Sequence, residues 1–181
     1  MKELLSQKEL DIILNRLCCE LIENHGDFSD SVIIGLQPRG IDFAQRMVSL
    51  LRDRYQIKDI HLGSLDITFF RDDFRRRDEP LKANQTHIDF LVENKNVIFV
   101  DDVLYTGRSV RSAMDAINSF GRAKAVELLV LIDRRFSREL PIQPDYSGRR
   151  VDSIASEKVE VNWSETHDHD GVYIIRSQEN E

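Results

Sequence analysis

Val97 to Ser109 reads VIFVDDVLYTGRS, and this stretch decides the fold class. Val97, Ile98, Phe99 and Val100 form an unbroken apolar run, the pattern of a strand covered on both faces in a parallel sheet. Asp101 and Asp102 stand at its carboxyl end, where open α/β sheets place their ligands. From Ser109 onward, Val110, Ala113, Met114, Ile117 and Phe120 recur at helical spacing, so Tyr105 to Arg108 form the turn into a helix N-terminus. The first amides of a helix have no partner within it, and Gly107 lets the backbone curl so that they converge on an anion. Thr106 and Ser109 add hydroxyl donors. Paired carboxylates repel a bare phosphate but accept hydrogen bonds from vicinal sugar hydroxyls, so a sugar phosphate satisfies both halves.

Outward from this core the chain alternates strand and helix without repeats or low-complexity tracts. Ser6 and Glu9 form a capping-box pattern, and Leu10, Ile13, Leu14, Leu17, Leu21 and Ile22 line the helix that follows, up to Gly26. Val32 to Leu36 is a short apolar strand, Gln37 to Gly40 a tight loop, and Ile41 to about Arg54 an amphipathic helix. A further strand is expected near Ile60 to Phe70 and a buried one over Ala125 to Ile132. Shorter segments around Tyr146, Val159 to Trp163 and Val172 to Ile175 read as edge strands. The expectation is an α/β fold, a mostly parallel twisted sheet flanked by helices on both faces, in a single domain over 1–181.

Composition bounds the function. A chain of 181 residues with 41% apolar content suits one substantial core. No apolar stretch approaches a membrane span, and MKELLSQKELDI lacks the apolar segment of a signal peptide, so the expected location is the cytoplasm. Adjacent Cys18 and Cys19 on a helix make no disulfide and no metal framework, and buried free thiols are expected. His167 and His169 in THDHD read as a polar turn, because two imidazoles with flexible acids are a poor metal set.

The ordered string of two acids and a Thr-Gly loop resembles the signature of the type I phosphoribosyltransferases for 5-phosphoribosyl 1-diphosphate (PRPP). Leu65 to Asp73 (LDITFFRDD), Asp133-Arg134 and Arg138 to Gly148 (RELPIQPDYSG) extend the likeness to the PyrR branch of that family, regulators of pyrimidine operons that are also uracil phosphoribosyltransferases. The resemblance implies the type I phosphoribosyltransferase fold with a mobile hood loop, and uracil plus PRPP going to UMP plus pyrophosphate, with Mg²⁺ held mostly by substrate oxygens rather than by a protein metal site. It implies catalytic roles for Asp101, Asp102 and Arg134. PRPP or nucleotide contacts would come from Pro38, Arg39, Arg71, Val103, Leu104, Tyr105, Thr106, Gly107, Arg108 and Ser109 besides the two acids. Lys158 and Val159 would read the base.

In the resembling family the loop matching Gln37-Pro38-Arg39-Gly40 grips pyrophosphate, often through an unusual peptide bond before the equivalent of Arg39. The charged run from Phe69 to Pro80 matches a loop that closes over the sugar, with Arg71 reaching pyrophosphate. Purine-specific relatives carry a third acid where this chain has Tyr105, which disfavours a purine substrate. A homo-oligomer, dimer or larger, is implied as well.

Attenuation through a pyrimidine-operon leader RNA is the regulatory half of the resemblance. Phosphate contacts dominate RNA affinity, yet the net charge is −7. Arg16, Arg149 and Arg150 could form a local patch, whereas Cys19, Asn24, Gln143 and Ala155 replace basic or histidine residues of known regulators. The sequence leaves open two alternatives: a hypoxanthine or guanine phosphoribosyltransferase, and a non-catalytic PRPP or nucleotide sensor that binds RNA.

Overall fold

The computed structural model describes residues 2–68, 85–154 and 156–176. The Phe69 to Pro80 segment and Arg71, and likewise Ala155, lie outside these residues. Strand β1 (Lys2–Leu5) leads into helix α1 (Gln7–His25), whose start is secured by the expected reciprocal capping of Ser6 and Glu9. Then come β2 (Ser31–Leu36), α2 (Gly40–Asp53), β3 (His61–Leu65), β4 (Asn96–Leu104), α3 (Arg108–Ile117), β5 (Ala125–Arg134), β6 (Tyr146–Val151), β7 (Glu157–Asn162) and β8 (Gly171–Arg176).

Five strands in the order β3-β2-β4-β5-β6 make one parallel sheet. Its central strands bury apolar side chains on both faces: Ile33, Ile98 and Leu129 pack toward α1 and α2, while Ile34, Phe99 and Val130 pack toward α3. Continuous rather than alternating hydrophobicity in β2, β4 and β5 is the direct consequence. After β3 the chain returns to the opposite side of β2 to place β4, so the order reverses between β2 and β4. At such a switch point the loops leaving the two strands diverge and open a crevice. Here they are the Gln37–Arg39 loop and the Tyr105–Gly107 loop.

The last segments do not extend the main sheet as expected. Only β6 is an edge strand of it; β7 and β8 pair with β1 in a separate antiparallel sheet, order β1-β8-β7. Val159, Val161, Trp163 and Val172 pack into the same apolar cluster as α1 and α2, with Trp163 stacked on Phe43 at 6.1 Å between ring centroids. Arg46 ties this corner together, lying 4.5 Å over the Trp163 ring and pairing with Asp170 at 2.7 Å.

Three smaller expectations also change. Helix α3 ends at Ile117 and closes in a 3-10 turn over Asn118–Phe120, leaving Met114 and Phe120 each 39% exposed instead of in the core. Cys18 is buried but Cys19 is exposed. The cis peptide joins Gln37 to Pro38, one bond before the position implied by the resemblance, where proline lowers the cost of the cis form.

Candidate active site

The two acids are held by the centre of the sheet. β4 runs through Asp101 and Asp102 to Leu104, and hydrogen-bonding neighbours on both sides, β2 and β5, fix its backbone. Asp101 Oδ1 accepts the Asp102 amide N–H at 2.9 Å. Asp102 is only 6% exposed. Burial, and then the neighbouring Asp102 charge, push the Asp101 carboxyl well above the ordinary carboxylate range. Burial also raises Asp102, with Arg39 pulling the other way. The pair is therefore short of positive charge and of hydrogen-bond donors.

Arg39 is the cation whose charge opposes the rise at both acids. It caps the start of α2, which approaches β4 very closely: a Cβ on Gly40 would lie 2.2 Å from the Val100 carbonyl oxygen and 3.0 Å from Asp101 Cα. Only glycine lets the 37–40 loop sit this near the acids. The Arg39 guanidinium remains half exposed, 3.9 Å from Glu160 on β7, and Lys158 lies 3.4 Å from the same carboxylate. Arg39, Asp102, Glu160, Asn162, Trp163 and His167 line a crevice of about 150 Å³ under β7. Asn162 Oδ1 in its wall is buried and has no hydrogen-bond partner among the described residues.

On the other side of the acids, the Tyr105–Gly107 loop makes the expected turn into a helix. Gly107 adopts φ 91°, in the left-handed region that favours glycine, and α3 starts at Arg108. Thr106 Oγ1 accepts the Arg108 amide at 3.4 Å. Val103 is half-buried and Leu104 is in the core, and both pair with β5. Arg108 is exposed and donates Nε–H to Glu139 at 2.6 Å; Ser109 is half-buried, and Pro38 is exposed at the mouth of the crevice.

Arg134, expected to help offset pyrophosphate charge, stands at the end of β5 beside Tyr105. It is 5% exposed, and its Nε–H donates to Ser153 Oγ at 2.7 Å and its NH2 to the Ile154 and Glu157 carbonyls at 3.1 and 2.7 Å. Its guanidinium lies 4.1 Å over the Tyr105 ring. The geometry is that of a brace between the anion loop and the turn that precedes Lys158 and Val159. Val159 is buried, so only its backbone is available to a base, while Lys158 is exposed.

Glu160 and Arg138 are the side chains that sequence reasoning passed over. Glu160 carries a weak signal, since the alternation of Lys158, Glu160 and Asn162 against Val159 and Val161 puts the three polar residues on one face of β7. Among the described residues no group of three or more His, Cys, Asp or Glu is arranged to hold a metal ion. His167 instead bonds Thr166 Oγ1 at 2.9 Å, and His169 bonds the Tyr173 hydroxyl at 2.8 Å.

A profile of the phosphoribosyl transferase domain matches residues 1–169. The chain belongs to the phosphoribosyl transferase family. Within that family its sequence is of the PyrR type. It is 39% identical over 180 residues to the bifunctional protein PyrR of Chloroflexus aurantiacus, covering 99% of this chain and 98% of that one. The bifunctional protein PyrR of Microcystis aeruginosa is 40% identical over 174 residues, with 96% and 97% covered. The hypoxanthine phosphoribosyltransferase of Trypanosoma cruzi has the same fold, with a TM-score of 0.72 over 98% of both chains, at 13% identity. The parallel sheet flanked by helices is thus the phosphoribosyltransferase fold. No helix among the described residues is long and apolar enough to cross a membrane.

Proposed function

We propose that this phosphoribosyltransferase moves the 5-phosphoribosyl group of PRPP to N1 of uracil, yielding UMP and pyrophosphate. One observation carries the reading: an acid pair, Asp102 buried and Asp101 half-buried, stands at the switch point between the glycine loop that opens α3 and the Arg39 loop that opens α2. Leaving of pyrophosphate puts positive charge on the ribose ring and negative charge on the leaving group. Groups fixed in advance of the reaction stabilise both at little reorganisation cost. Asp101 and Asp102 accept the ribose hydroxyls and favour the cationic ring. The amides of Thr106 to Ser109 hold the 5-phosphate, and Arg39 faces the pyrophosphate; Arg71 joins it from the segment outside the described residues.

Mg²⁺ suits this donor set, because Arg39 offsets the two raised carboxylates only in part. Asp101 and Asp102 would hold it together with substrate oxygens, and it supplies positive charge against the pyrophosphate. Lys158 and the Val159 backbone read the pyrimidine edge, with Tyr105 where a purine site has an acid. The chain works as one unit over 1–181, in the cytoplasm and as a homo-oligomer; the family match over 1–169 and the apolar cluster shared by both sheets support the single unit.

Incubation with PRPP and Mg²⁺ plus uracil, hypoxanthine or orotate, followed by pyrophosphate release, tests the assignment. Uracil should be turned over. Turnover of hypoxanthine alone would overturn the choice of base, and no release with any of the three would overturn the enzyme.

Near-complete alignment with bifunctional relatives favours a second role, binding of a pyrimidine-operon leader RNA under control of UMP. The candidate patch is partly neutralised: Arg16 pairs with Glu20 at 2.5 Å and Arg149 lies 3.8 Å from Glu9, while Arg150 stays 67% exposed. A gel-shift titration with and without UMP at two salt concentrations checks it. Binding that strengthens with UMP and weakens with salt is expected, and its absence at low salt would remove the regulatory role.

A further inference from the structure

An anion loop works only if its amides face the ligand, and that requires the intervening carbonyls to face away and be satisfied elsewhere. Here the segment after β5 supplies the partners for the Tyr105 and Thr106 carbonyls, while the Gly107 carbonyl accepts the Arg111 amide of α3 at 3.1 Å. Arg138 donates from NH1 to the Tyr105 carbonyl at 2.5 Å, and the Glu139 and Leu140 amides donate to the Thr106 carbonyl at 3.0 and 3.2 Å. Leu140 and Ile142 fill the space that a side chain on Gly107 would need, within 3.3 to 3.5 Å of the missing Cβ. Arg138 is itself anchored, for its NH2 is bonded to Asp133 Oδ1 at the end of β5. Asp133 is 6% exposed, and Arg150 lies 3.8 Å from its second oxygen.

We propose that Arg138 is a positioning residue for the phosphate loop, with Asp133 as its anchor: the guanidinium spans β5 and the Tyr105 carbonyl and so keeps the loop amides turned toward the ribose phosphate. This rests on the PRPP reading above. The two backbone donors from Glu139 and Leu140 draw the loop against this segment, but they hold only Thr106. Arg138 takes the backbone carbonyl of Tyr105, the residue at which the chain leaves β4, whereas Arg134 meets only its ring. Its positive charge is spent on Asp133 and the carbonyl, so it acts through the loop and not by touching substrate.

The test compares wild type with Arg138→Met and Arg138→Lys. Ribose 5-phosphate binding is measured by calorimetry, KM for PRPP and for uracil by pyrophosphate release, and folding by thermal melts. A charge-assisted hydrogen bond lost from the loop should weaken ribose 5-phosphate and raise the PRPP KM about 10- to 100-fold in R138M. The uracil KM measured at saturating PRPP should stay within about threefold. R138K keeps the charge but cannot span both acceptors, and should fall between the two. If R138M fails to fold, R138K carries the same comparison. Equal ribose 5-phosphate affinity in a folded variant and wild type would overturn the positioning role. A wild-type protein that binds neither ribose 5-phosphate nor PRPP would instead overturn the function on which it rests.

Discussion

Replacing Asp101 by Asn should remove activity and at the same time stabilise the ligand-free protein, by an amount that depends on pH. In the folded chain the Asp101 carboxyl is pushed well above the ordinary range, first by burial and second by the Asp102 charge. Unfolded, it titrates near ~3.9. Between these two values the folded state binds more protons than the unfolded one, so stability falls as pH rises through the window, and the penalty is complete above the raised value. Asparagine removes the charge but keeps an Oδ1 able to accept the Asp102 amide, now at 2.9 Å. Relief of such functional strain is typically worth about 0.5–2 kcal/mol. At about 2–4 °C per kcal/mol for a chain of this size, Tm should rise by about 1–8 °C. Melts of both proteins at about pH 4 and about pH 8 check the sign: the difference should be small at the lower pH and larger at the higher. Pyrophosphate release should fall by about 100-fold or more. A Tm difference that is the same at both pH values, or a variant less stable at both, would refute the reasoning that this carboxyl is buried at a cost for the sake of its ligand.

Two further outcomes follow from the same geometry. Gly40→Ala would drive a Cβ into the backbone of β4, 2.2 Å from the Val100 carbonyl oxygen, and a central strand cannot yield. The expected cost is about 1–3 kcal/mol in a denaturant titration, with PRPP turnover reduced because Arg39 and Asp101 are forced apart; wild-type stability and rate would refute the close approach. Of the two thiols, Cys18 is pushed up to about 12 by burial, whereas Cys19 is exposed. Ellman's reagent at mildly alkaline pH should therefore titrate one thiol in the native protein and both in guanidinium, and two fast native thiols would contradict the packing of α1.

Local patterns foretold much of the molecule. Leu10, Leu14, Leu17 and Leu21 are buried along α1 as their spacing required, and Val97 to Val100 are buried on both faces of β4. The anion loop was also legible, because Gly107 in a left-handed conformation is a property of a few adjacent residues. Phe120 went astray because the apolar spacing continues past Ile117 but the helix does not, and Met114, inside the helix, because nothing in a periodic pattern says how far the partner surface extends.

Interactions between distant segments were beyond the reach of such patterns. The pairing of Lys2 to Leu5 with β8 joins opposite ends of the chain, and an isolated four-residue segment contains no information about which edge will receive it. The charge of Arg134 is visible in sequence, while the Ser153 hydroxyl and the Ile154 and Glu157 carbonyls that take its Nε and NH2 donors become visible only when the chain is folded. The same holds for Glu160 beside Arg39 and for Arg138 behind Tyr105.

By itself, then, the sequence determined the strand that carries Asp101 and Asp102, the loop that follows it, and the kind of ligand they suit, since each depends on residues within a turn or two of one another. Tertiary structure decided which charges face the crevice and which are consumed in holding it, because that depends on where desolvated donors find acceptors up to dozens of residues away. It also decided the reversal of strand order between β2 and β4, the event that opens a crevice beside the two acids.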